Sequence, residues 1–113
     1  MNENIQALED SIQDCKVIIE TGEALQRLMK NRDFKKVILE GYFKDEPIRL
    51  VHLKSDVSFQ TPERQQAILT QMDSIGALNQ YFNTLNHMME QAKKASMAAT
   101  ELRDEMLAED LEA

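Results

Sequence analysis

The sequence predicts an all-α protein: a long N-terminal helix, two short central helices and a long C-terminal helix, forming an extended helical hairpin or bundle. Three observations predict it. Turn-forming residues are scarce, with three Gly and two Pro in 113 residues, whereas an all-β domain needs turn signals about every ten positions. Apolar residues recur at spacings of three and four in both halves of the chain, the period of a helix that buries one face. The six aromatic residues, Phe34, Tyr42, Phe43, Phe59, Tyr81 and Phe82, all lie between 34 and 82. One helical domain over 1–113 follows, with a packed centre at about 33–82 and helical arms at 3–31 and 83–113.

The first helix is read from residue 3 to about 31. Ile5, Leu8, Ile12, Cys15 and Ile19 form a seam of the coiled-coil kind. Glu3, Glu9 and Asp10 crowd its start and Arg27, Lys30 and Arg32 its end, as the helix dipole favours. Gly22 costs about 1 kcal/mol against Ala inside a helix, so a kink is expected near Thr21-Gly22. Beyond it the stripe moves to Leu25, Leu28 and Met29.

Asp33 is read as the N-cap of the second helix, which carries Phe34, Val37, Ile38 and Phe43. Gly41 is placed where it would let another backbone come close. Lys44-Asp45-Glu46 interrupts the pattern, and Pro47 disfavours helix at Glu46 while suiting the first turn of a third helix. Ile48, Leu50, Val51 and Leu53 fill that third helix. Residues 56–61 read as a loop, after which Thr61 caps, Pro62 opens and Glu63 supplies a first-turn carboxylate for the last helix.

No Pro follows, and Gly76 is the one weak spot. Ile75, Leu78, Phe82, Leu85, Met89 and Ala92 keep coiled-coil spacing, and Ala99, Leu102 and Met106 extend it less cleanly. A helix of ~45 residues is ~68 Å long, beyond what a small domain can cover, so part of this stripe is expected to serve as a contact rail. The first helix would fold back on it or reach into another subunit. Residues 101–113 hold six carboxylates against Arg103 alone and read as a solvated end that the helix dipole does not support.

Charge narrows the functions. The formal net charge is -7, which disfavours nucleic-acid binding, since that affinity comes largely from Lys and Arg displacing counterions. Residues 34–64 carry five acidic and six basic groups between more acidic flanks. Cys15 is the single cysteine, so no internal disulfide can form, which fits a reducing compartment. Nothing approaches the ~18 apolar residues of a membrane span, and Asn2-Glu3-Asn4 lacks the basic start of a secretory leader.

Chemistry-bearing constellations are missing from the pattern. His52 and His87 lie on different helices and, with Cys15, do not make up a zinc ligand set. His87 and Glu90 stand one turn apart in the reverse order of the Glu-x-x-His unit of di-iron bundles. Cys15 sits on the apolar seam, where an inert packed thiol is the better reading. Three isolated glycines cannot build a phosphate loop or nucleophile elbow. No enzyme activity, cofactor or metal is expected.

The residues taken as candidate protein contacts are Ile5, Leu8, Ile12 and Ile19 on the first helix, and Leu85, Met88, Met89, Ala92, Met97, Leu102 and Met106 on the last. The small and flexible side chains of 88–106 suit adaptable contact surfaces.

The run Asp33-Phe34-Lys35-Lys36-Val37-Ile38-Leu39-Glu40-Gly41-Tyr42-Phe43-Lys44-Asp45-Glu46, followed by Arg49-Leu50-Val51, resembles a block in small helical phage-encoded proteins. Ile75-Gly76 and Tyr81-Phe82 are similar as well, so the resemblance covers about 25–90. Such proteins tend to be encoded among head and tail assembly genes, and the resemblance transfers no functional residue. It implies a phage origin and a virion or assembly role, in the cytoplasm of an infected bacterial host or in the particle. The expected partners are proteins, a second copy of the chain or other virion components, with no membrane. Two other readings stay open: a small inhibitor of a host or defence protein that mimics nucleic acid, and a module binding a small anion through Lys35, Lys36, Lys44 and Arg49.

Overall fold

In the computed structural model, which describes residues 2–112, α1 (Asn2–Lys30) runs unbroken through Gly22. The expected kink is absent because Gly22 belongs to the buried face of the helix. That face comprises Ile5, Leu8, Ile12, Cys15, Ile18, Ile19, Gly22, Leu25 and Met29, each buried or half-buried. Leu28, placed on the shifted stripe by its sequence position, is exposed.

The cap of the next helix is Asn31, two residues before the expected Asp33. Its Oδ1 accepts from the Phe34 N–H at 2.9 Å, and its extended backbone turns the chain from α1 into α2 (Arg32–Phe34). Asp33 contributes instead a first-turn carboxylate, the favourable sign at that end.

The helical backbone then widens into a π-helical segment, π1 (Lys35–Asp45), and returns to α geometry in α3 (Glu46–Ser55). No break occurs at Lys44-Asp45-Glu46. At the junction the Glu46 N–H still bonds back five residues to the Gly41 carbonyl. Pro47, with no N–H to place, stands where the pattern changes. Runs this long are rare for π geometry, and the aromatic packing supplies a reason for it. Phe34 and Phe43 both meet Phe82, with ring centroids 6.0 Å and 5.9 Å away. At about 100° per residue, an α-helix would put residues nine apart on opposite faces. The wider turn brings both rings to one side, and each aromatic pair is worth about 0.5–1.5 kcal/mol beyond area burial.

A 3-10 turn, Val57–Phe59, fills the loop after α3. Asp56 caps it by accepting from the Ser58 N–H at 2.8 Å and the Ser58 hydroxyl at 2.6 Å. The Lys54 carbonyl at the end of α3 accepts from the amides of Gln60 (2.9 Å) and Gln65 (3.0 Å). Helix α4 (Pro62–Glu112) begins where the sequence places it, with the Arg64 N–H donating to Thr61 Oγ1 at 3.3 Å. It continues without a break to Glu112.

The chain divides into two units. Unit 2, Gln26–Asn83, is centred on Leu50, Ile68 and Ile75, packed by Tyr42, Phe43, Leu53, Phe59 and Met72. Leu50 is fully buried, worth about 1.5–3 kcal/mol on its own. Unit 1 joins the chain up to Leu25 with the chain from Thr84 on. Here α1 packs against α4 of its own chain, the arrangement that the sequence left open against a reach into another subunit. The pairing buries Cys15, Gly22 and Leu25 on α1 and Met89, Ala92 and Ala99 on α4.

Candidate protein-docking site

Two helices side by side bury one row each and leave a groove along the flank of their contact. In unit 1 one such groove is apolar. Val17, Ile18, Thr21, Leu85 and Met88 line its first part, and Cys15, Ile18, His87, Met88, Gln91, Ala92 and Ala95 line its second. The volumes are about 140 and 290 Å³. Ile18 and Met88 belong to both parts, so the groove is continuous. Its lining descends α1 from Thr21 to Cys15 as it ascends α4 from Leu85 to Ala95, which makes the two helices antiparallel.

The close approach behind this groove is set by Gly22. A Cβ there would fall 2.5 Å from the Met89 Cβ, so only Gly lets α1 come this near. Met89 fills the space and is 1% exposed, while its neighbour Met88 is 42% exposed and turns into the groove. Asp, Glu, Lys and Arg are all missing from the groove lining.

The candidate contacts fall into three groups. Met89 and Ala92 are buried; Met89 is taken up by its packing on α1 and is not available to a partner. Ile5, Leu8, Ile12, Ile19, Leu85 and Met106 are half-buried along the contact between the helices. Met88, Met97 and Leu102 are exposed, and of these Met88 joins the groove. The contact rail is therefore narrower than the full stripe, because α1 covers its inner row. Val17 and Ile18 escaped the sequence reading. Their signal was the pair's position beside Thr21 one turn on, next to the seam rather than in it.

Unit 2 carries two lesser candidates. Pro47, Ile48, Val51 and His52 form an apolar patch on α3 of about 210 Å³. Lys30, Arg32, Lys35, Lys36 and Glu40 line a hollow of about 390 Å³. Of the four groups suggested for an anion, Lys35 and Lys36 reach that hollow. Lys44 does not line it, and Arg49 is engaged elsewhere, 2.5 Å from Glu46. That pairing holds the Glu46 carboxyl below the usual carboxylate range through the hydrogen bond from Arg49. Burial of Cys15 agrees with a packed thiol. Among the described residues no group of three or more His, Cys, Asp or Glu converges as a metal site, and no helix is long and apolar enough to cross a membrane. The chain matches no protein family, no curated protein and no solved structure.

Proposed function

We propose that this chain is a non-enzymatic helical assembly protein of a phage particle, acting through protein–protein contacts. The observation that carries the reading is the uncharged groove of unit 1, where Val17 and Met88 stay exposed beside a seam already filled by its own helix. An apolar groove between two helices suits a helical protein partner better than a small polar substrate. The resemblance of 25–90 to small phage proteins supplies the particle, with the infected cytoplasm or the virion as its place. Mass spectrometry of purified virions and of assembly intermediates tests it. Recovery of the chain in either fraction supports the reading, and absence from both overturns it.

A second reading is favoured by one observation: unit 1 holds thirteen acidic and four basic residues. Such a surface would suit an inhibitor that competes with nucleic acid for a host or defence protein. A complex with a nucleic-acid-binding protein that dissolves as salt rises would favour this second role over assembly.

A further inference from the structure

We infer that the basic hollow where α1 gives way to α2 seats the acidic end of α4 from a second copy of the chain, a head-to-tail contact. This rests on the reading of the chain as an assembly protein, and on a surface other than the groove. Lys30, Arg32, Lys35 and Lys36 line the hollow against Glu40 alone. All four cations are exposed, and among the described residues no ion pair engages any of them. Four cations against one carboxylate leave this one hollow of about 390 Å³ strongly positive.

The end of α4 supplies the matching pattern. Glu101, Glu105, Glu109 and Glu112 are exposed and, at about 100° per residue, fall within about 80° of one another round the helix. The stripe is centred about 130° from the seam of Ala99, Arg103 and Met106, and α1 of the same copy leaves it uncovered. Carboxylates four residues apart repel each other, and negative charge at a helix C-terminus opposes the dipole. Yet α4 stays helical to Glu112. Lys and Arg from another molecule relieve both penalties. Every copy brings one hollow and one stripe. Because the two surfaces differ, each contact leaves one of each free for the next copy, and the product is a ring or a filament.

The test uses the full chain. Light scattering at low salt should show a weight-average mass that rises with protein concentration and falls as salt is added. Two triple reversals, Arg32→Glu with Lys35→Glu and Lys36→Glu, and Glu101→Lys with Glu105→Lys and Glu109→Lys, should each weaken self-association at least about tenfold. Each places its new charges where the helix dipole favours them, and circular dichroism confirms that both variants stay helical. Mixed in equal amounts, the two should associate again, because each then meets its complement. Lys16→Glu with Lys44→Glu and Lys54→Glu reverses as many cations away from the hollow and should change association less than about twofold. A mass independent of concentration, a mixture that stays dissociated, or a control as damaging as the hollow reversal would overturn the contact. So would loss of association from the hollow reversal alone, which would mean that another anion occupies the hollow. The virion mass spectrometry decides the assembly reading separately: recovery in particles with a constant mass in solution would remove only the head-to-tail contact.

Discussion

Gly22 on α1 and Met89 on α4 meet so closely that a Cβ added at Gly22 would lie 2.5 Å from the Met89 Cβ and 2.5 Å from its Sδ. The sulfur can swing aside, but the Cβ moves only with the α4 backbone. Gly22→Ala should therefore destabilise unit 1 by about 1–2 kcal/mol, overpacking outweighing the gain in helix propensity. Urea denaturation measures it. Met89→Ala alone should cost about 2–5 kcal/mol. Gly22→Ala combined with Met89→Gly, which removes the Cβ that Met89→Ala would keep, should be more stable than the sum of its two single losses by over about 0.5 kcal/mol, because the clash needs both Cβ atoms. Strict additivity in that cycle would mean that the helices do not touch there.

Gly76 is the opposite case. It is exposed, its φ is not positive, and an added Cβ would meet nothing within 4 Å. Gly76→Ala should raise stability by about 0.5–1 kcal/mol through the unfolded chain's lost freedom and the better helix former. The same substitution thus has opposite signs at two helical glycines. A drop in melting temperature for Gly76→Ala would show that something packs on this position.

Sequence reading worked best where the signal was local. Thr61-Pro62-Glu63 identified the start of α4 because cap, proline and carboxylate act within one turn. It worked less well where tertiary contacts decide. The seam of α4 continues past Ala92 through Ser96, Ala99, Arg103 and Met106 at spacings of three and four. Two polar members hid that regularity from a search for apolar residues. The π-helical run from Lys35 to Asp45 has no local signature, since its reason is the shared contact of Phe34 and Phe43 with Phe82. Asn31 and Asp33 are both good caps, and only the extended backbone at Asn31 separates them. The groove needed the register of α1 on α4, which spacing within either helix cannot give.

Acid should loosen the α3–α4 connection at a predictable point. The Asp56 carboxyl is held below its ordinary value, first by the Ser58 hydroxyl and then by the Ser58 N–H. A depressed carboxylate contributes stability that is present above its unfolded pKa and is lost as pH falls through its folded pKa. Asp56 is exposed, so the effect belongs to the turn rather than to global stability. The Ser58 amide resonance should titrate with a midpoint below the ordinary aspartate value, and Asp56→Ala should remove that titration. A midpoint at or above the ordinary value would exclude the cap.

Met88 and Met89 are adjacent in sequence and face different surroundings, 42% and 1% exposed. Side chains one residue apart on a helix differ in direction by about 100°, which turns Met89 into the α1 contact and Met88 into the groove. Truncating the buried one should carry the full cavity penalty, about 2–5 kcal/mol. Met88→Ala should stay within about 0.5 kcal/mol of the parent, as surface changes do. Mild peroxide should likewise convert Met88 to its sulfoxide well before Met89, read from the methyl resonances. If oxidation or truncation at the two positions proved equal, the register of α1 on α4 would be wrong by at least one residue. With it would go the groove itself, because Ile18 and Met88 would no longer line the same hollow from opposite helices.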